Sequence, residues 1–262
     1  MNELKGKFGT DMGQQFTPPR CFELTGRKLL LRFDGFEATA EFIDDDRIAW
    51  VTGTGREERN YWCLKSSERV YLVSFGSAGK RCVTLILDLD AGLVTIDITA
   101  FDENNSPYKE TVDFGVISGY YKAVPDTMPA AERHGFTNDL DGNRFLWIFC
   151  DTYWHVESYS DGICTHLCNY PAFNGSGPYQ CVKITDTQYY VINGDPKESI
   201  CMIYNLKNLT SVGRSVVFET AEAPIGQGAV GKYSETVEVP DDVTVIDTEK
   251  SARQAIAFQE NA

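Results

Sequence analysis

Tyr153-Trp154-His155-Val156-Glu157-Ser158-Tyr159-Ser160-Asp161-Gly162-Ile163-Cys164-Thr165-His166-Leu167-Cys168 reads as a β-hairpin. Two runs of alternating character flank an Asp-Gly pair, and Asp-Gly is the preferred sequence of a two-residue type I′ turn because both central residues need positive φ. With Asp161 and Gly162 as the central pair, Glu157 faces His166, His155 faces Cys168 and Tyr159 faces Cys164. The period of two along a strand then gathers Tyr153, His155, Glu157, Tyr159, Cys164, His166 and Cys168 on one face. Trp154, Val156, Ile163 and Leu167 share the other. Two readings follow. Either the polar face looks into a pocket, or it is a half-exposed surface and the Trp154/Val156/Leu167 side is the core. A one-residue slip would exchange the faces.

Working outward, the hairpin belongs to a unit that the chain writes twice. Leu24-Thr25-Gly26 and the run to Phe33 resemble Leu140-Asp141-Gly142 and the run to Phe149. Asn60 to Lys65 resembles Pro178 to Lys183, Val70-Tyr71-Leu72-Val73 matches Gln188-Tyr189-Tyr190-Val191, and Leu85 to Leu89 matches Met202 to Leu206. These matches keep their order at offsets of 116 to 118 residues, so the chain is a tandem duplication. Turn signals such as Asp44-Asp45-Asp46, Gly53-Thr54-Gly55 and Gly175-Ser176-Gly177 separate short apolar or alternating runs, which is the pattern of antiparallel meanders. Meanders with one apolar face close or pack to remove their edges. The expected fold is all-β: tandem lipocalin-like antiparallel β-barrel repeats, as two barrels, half-barrels or one larger barrel, with a short C-terminal helix. The expected organisation is an N-terminal arm (1–20), a first repeat (21–118), a linker (119–139), a second repeat (140–232) and an acidic tail (233–262). Thr248 would cap the helix, which runs from Glu249 toward Phe258.

Composition narrows the functional classes. The 262 residues carry 24 Lys+Arg against 38 Asp+Glu, a net charge of −14, which disfavours nucleic acid and anionic membranes as partners because both need clustered cations. No apolar run reaches the length of a membrane span, and Met1 to Lys7 lacks the apolar core of a signal peptide. A cytoplasmic location is the expectation, with the eight cysteines reduced. The tail holds seven acids against Lys250 and Arg253, so part of the acidity is a solvated appendage.

The Leu-x-Gly opening of each half, the strand end Asp88-Leu89-Asp90, and the spacing of His155 and His166 resemble the MoaF family of calycin-type β-barrel proteins. The resemblance spans residues 22 to about 231 and implies a MoaF N-terminal-like first repeat and a C-terminal-like second one. It implies a fold and brings no activity with it. Folds of this type include decarboxylases, pericyclic cyclases and pure carriers.

Candidate chemistry lies in the second half, where all three histidines fall. A carboxylate opposite an imidazole can set its tautomer and support a general base. Glu157 would orient His166 as acid/base, His155 would assist, and Tyr153 or Tyr159 would donate to a developing oxyanion. At a constant offset of 116 the first repeat has Thr39, Glu41 and Trp50 in place of His155, Glu157 and His166, so the carboxylate alone would be duplicated. His134 is expected on the linker surface. Cys164-x-His166-x-Cys168 is spread too far along one strand to grip an ion, so cysteines packed as small hydrophobes, without metal, are expected. Gly226-Gln227-Gly228-Ala229-Val230-Gly231 satisfies G-x-G-x-x-G but lacks any βαβ context, so it reads as a closing loop and no cofactor is expected. The leading expectation is a cofactor-independent lyase, isomerase or cyclase acting on a small aromatic or apolar ligand. A non-catalytic carrier of the same ligand is the alternative, and a homodimer through the Trp154 face a third reading.

Overall fold

A computed structural model describes residues 18–104, 106–118, 132–150, 153–168, 174–194, 199–216 and 244–247. For Tyr153, His155 and Cys168 it describes the backbone alone. The chain divides between Gly135 and Phe136 into two compact units. Residues 1–17, most of the linker, the 226–232 glycine loop and the expected helix from Glu249 lie outside the described residues.

The first unit is a closed eight-stranded barrel. Its strands are β1 (Lys28–Arg32), β2 (Glu37–Phe42), β3 (Arg47–Thr52), β4 (Gly55–Lys65), β5 (Val70–Ser77), β6 (Arg81–Asp88), β7 (Leu93–Phe101) and β8 (Pro107–Ser118). Each pairs antiparallel with the next, and β8 returns to β1 with Leu31 opposite Ile117, so no edge is left open. The seam is tight. A Cβ on Gly115 would lie 2.3 Å from the Arg32 carbonyl oxygen, so only glycine lets β8 approach. Alternation along β2 sends Ala38, Ala40 and Phe42 inward and leaves Glu37, Thr39 and Glu41 outside the core. Aliphatic and aromatic side chains fill the interior, with Trp50 tilted on Phe75 at 5.4 Å.

The second unit repeats the meander as a curled half-barrel sheet. After the short β9 (Gly135–Phe136) come β10 (Arg144–Cys150), β11 (Tyr153–Ser160), β12 (Ile163–Cys168), β13 (Gly175–Thr185), β14 (Gln188–Gly194), β15 (Ser199–Asn205), β16 (Thr210–Val216) and β17 (Thr244–Asp247). Strands β10 to β16 follow the order of β1 to β7. The place beside β10 that β8 holds beside β1 goes to β17, and β17 runs parallel to its neighbour, with Phe145 opposite Thr244. One large barrel shared by both repeats is thus overturned by the closure of β1 on β8.

The duplication reappears bond by bond. Gly26 N–H donates to the Phe42 carbonyl at 2.7 Å, and Gly142 N–H to that of Tyr159 at 2.8 Å. Cys21 N–H donates to Cys63 at 2.8 Å, and Thr137 N–H to Cys181 at 2.9 Å. A side-chain cluster is also copied. Glu23 accepts from Lys65 at 2.5 Å and from the Tyr71 hydroxyl at 2.7 Å, while Asp139 accepts from Lys183 at 3.1 Å and from Tyr189 at 3.2 Å.

His134 is a correction. It is 3% exposed, not on the surface, with Nδ1 2.8 Å from the Thr95 hydroxyl. Burial disfavours the imidazolium and drives its pKa down to about 3. A neutral ring can be buried where a charged one cannot.

Candidate functional site

The hairpin forms in the expected register. Asp161 and Gly162 have φ of 50° and 75°, as the type I′ turn requires, and Glu157 pairs with His166, Tyr159 with Cys164 and His155 with Cys168. The polar face points inward. Tyr159 and Cys164 belong to the core of the second unit and Glu157 is 0% exposed, while Ile163 on the opposite face is 43% exposed. The half-exposed-surface reading is therefore overturned. On that opposite side Trp154 and Leu167 are half-buried, and Val156 between them is buried.

A buried carboxylate needs partners, and the sheet supplies them from several strands. The hydroxyl of Tyr159 on β11 donates to Glu157 Oε2 at 2.5 Å, and that of Tyr204 on β15 donates to the same oxygen. The two phenolic oxygens are 2.6 Å apart. Asn193 on β14 donates its amide to Oε1 at 3.3 Å. His166 Nδ1 also lies 3.3 Å from Oε1, and its side chain keeps 24% exposure against 1% for Glu157. The carboxylate is thus divided: Oε2 holds two phenols, and Oε1 faces an amide and an imidazole. Phe145 and Trp147 wall the cluster from β10, with the Trp147 ring 4.2 Å from that of Tyr204.

Charge at Glu157 acts on its neighbours. Burial first, and then the carboxylate's charge, push both the Tyr159 and Tyr204 hydroxyls well above the ordinary phenol range. The same two causes raise the Cys164 thiol, whose sulfur lies 4.0 Å from His166 Nδ1. Donor atoms of Glu157, Cys164 and His166 all lie within 4.8 Å of one another. Three donors along β12 alone are spaced too widely for an ion, but here the third donor crosses from β11. Tyr153 and His155 keep their strand positions, and their side chains lie outside the described residues.

Tyr204 and Asn193 were not singled out from the sequence. A signal existed for Tyr204, because Met202-Ile203-Tyr204 aligns with Leu85-Ile86-Leu87, which replaces an inward leucine with tyrosine. Glu41 is a second correction. The repeated Gly26 and Gly142 bonds equate Phe42 with Tyr159, so Glu157 corresponds to the inward Ala40. Glu41 lies outside and binds Lys28 and Arg56. The carboxylate was not duplicated.

The fold and this cluster define an all-β protein with one closed, apolar-filled barrel and a second curled sheet that encloses a polar centre. Residues 6–103 match the model of the MoaF N-terminal domain, so the resemblance read from the sequence holds over that stretch. No curated protein matches the chain. One similar crystal structure, named "putative beta-lactamase" and from Burkholderia vietnamiensis, is 20% identical, covers 38% of this chain and 97% of its own, and has a TM-score of 0.31. A likeness at that level carries no activity across.

Proposed function

We propose that the second unit binds a small aromatic or apolar molecule at the His166 end of its cluster and acts on it by acid–base chemistry without a cofactor, as a lyase, isomerase or cyclase does. One observation carries this reading: a carboxylate with no exposure is fixed by two phenols on one oxygen and faces a partly exposed imidazole with the other. In that arrangement Glu157 Oε1 holds the proton on Nδ1, so Nε2 is the nitrogen that takes a proton from a substrate and returns it. The imidazolium formed in between is stabilised by the adjacent carboxylate. Tyr159 is a positioning residue here, because its hydroxyl is engaged by Glu157 instead of meeting substrate. Tyr204 acts with it. His155 and Tyr153 remain assisting groups by strand position. The cytoplasm suits six free cysteines among the described residues.

Native mass spectrometry of the full chain purified from its own host identifies the retained molecule, and that molecule is then the probe. Glu157→Gln and His166→Ala are expected to abolish its turnover while affinity changes little. Equal loss of affinity, with no chemistry in the parent protein, makes the chain a carrier.

A further inference from the structure

We propose that Glu157 Oε1, Cys164 Sγ and His166 Nδ1 form a binding site for a divalent transition metal of the zinc class. The cross-strand pair Glu157↔His166 brings a carboxylate to an imidazole, and Cys164 sits two residues along β12 from His166 on the same face. Tetrahedral zinc, with bonds of about 2.0–2.3 Å, sets its ligand atoms roughly 3.3–3.6 Å apart. The oxygen–nitrogen pair is already at 3.3 Å and the sulfur–nitrogen pair at 4.0 Å, with all three donors within 4.8 Å, so closing the set asks the Cys164 thiol to move inward toward both partners.

Three further features fit an ion. One oxygen, one nitrogen and one sulfur make a borderline-soft set that suits zinc and its neighbours and disfavours magnesium and calcium, which take oxygen. The phenols of Tyr159 and Tyr204 occupy Oε2 and so present Oε1 as a monodentate ligand, the outer-sphere support that metal ligands commonly receive. Asn193 donates its amide to that same Oε1, yet its buried Oδ1 has no hydrogen-bond partner among the described residues. An ion, with or without a bound water, would give that oxygen a positive neighbour.

The charges also close. A divalent ion displaces the thiol proton of Cys164 to solvent and meets one thiolate, one carboxylate and one neutral imidazole, so the buried complex carries no net charge. The partly exposed side of His166 leaves room for a fourth ligand. This site goes beyond the proposed reaction and competes with it. A metal on Nδ1 leaves the ring proton on Nε2, so a metal-loaded His166 cannot act as a base.

The test uses the full chain, treated with chelator under reducing conditions and titrated with cobalt(II). The expected result is one equivalent bound, with tetrahedral visible bands and a thiolate-to-cobalt charge-transfer band, both removed by zinc. Cys164→Ser abolishes the charge-transfer band, and Glu157→Gln weakens binding at least tenfold. X-ray absorption of the zinc-loaded parent protein, which needs no variant to fold, shows one sulfur at about 2.3 Å with nitrogen or oxygen neighbours at about 2.0 Å. No cobalt bands in the folded parent, a band that survives Cys164→Ser, or a zinc shell without sulfur would overturn the site. Turnover by the metal-stripped protein tests the acid–base reading separately, so either proposal can fail alone.

Discussion

Five inward positions of the first barrel hold Ala40, Phe42, Trp50, Phe75 and Leu87 where the second sheet holds Glu157, Tyr159, His166, Asn193 and Tyr204. The first set is a closed apolar packing, with Trp50 paired across the strands with the small Ala40. The second set is one hydrogen-bonded cluster around a carboxylate. The acid–lysine–tyrosine clusters behave oppositely, since Glu23/Lys65/Tyr71 and Asp139/Lys183/Tyr189 are copied between the units. The same meander forms in the first unit without a polar centre, so the second is expected to fold without it as well. Groups present in both units serve the barrel. The group present in one, at a cost in desolvation, is the one on which the proposed chemistry rests.

The largest expected effect comes from moving the carboxylate into the wrong unit. Ala40→Glu puts a charge opposite Trp50, with Phe42 and Leu87 where Glu157 finds its two phenols, and about 3–5 kcal/mol of stability is lost. Urea unfolding measures this; a loss below about 1 kcal/mol would mean that the first barrel tolerates a polar centre after all. Gly115→Ala comes next, at about 1–3 kcal/mol, because its methyl meets the Arg32 carbonyl across the seam.

The first unit's buried histidine gives a pH signature. The folded pKa of His134 is about 3 while the unfolded chain titrates near 6.5, so between these values the unfolded state binds more protons. Its contribution is complete above pH 6.5 and falls as the pH drops toward 3. His134→Phe should flatten that part of the stability profile relative to the parent, and an unchanged slope would contradict a neutral buried ring. The smallest effects belong to the copied clusters. Lys65→Ala, removing a side chain only 7% exposed, costs about 1–2 kcal/mol, whereas Lys183→Ala leaves the unfolding midpoint where it is.

Much of this was legible in the residues. The repeat and the Asp161-Gly162 register follow from local rules, because turn chemistry and strand period act over a few residues. Glu41 is not the counterpart of Glu157, because the β2–β3 loop places Asp44, Asp45 and Asp46 between the paired Ile43 and Arg47, one residue more than the turn at Asp161-Gly162. One residue of turn length exchanges the faces of a strand. Burial of His134 depends on Thr95, far away in the chain. The parallel seat of β17 beside β10 is likewise a tertiary fact that no local pattern announces.

The central claim is that the polar centre of the second unit is dispensable for folding. It is tested most directly by the urea unfolding midpoint of a variant that carries the first barrel's residues, Glu157→Ala, Tyr159→Phe, His166→Trp, Asn193→Phe and Tyr204→Leu together. Replacing a buried charged cluster with apolar packing is neutral or stabilising by roughly 1–4 kcal/mol, so the midpoint is expected to hold or rise. A fall of the midpoint equivalent to several kcal/mol would show that the cluster holds the second sheet together, and the account would be wrong.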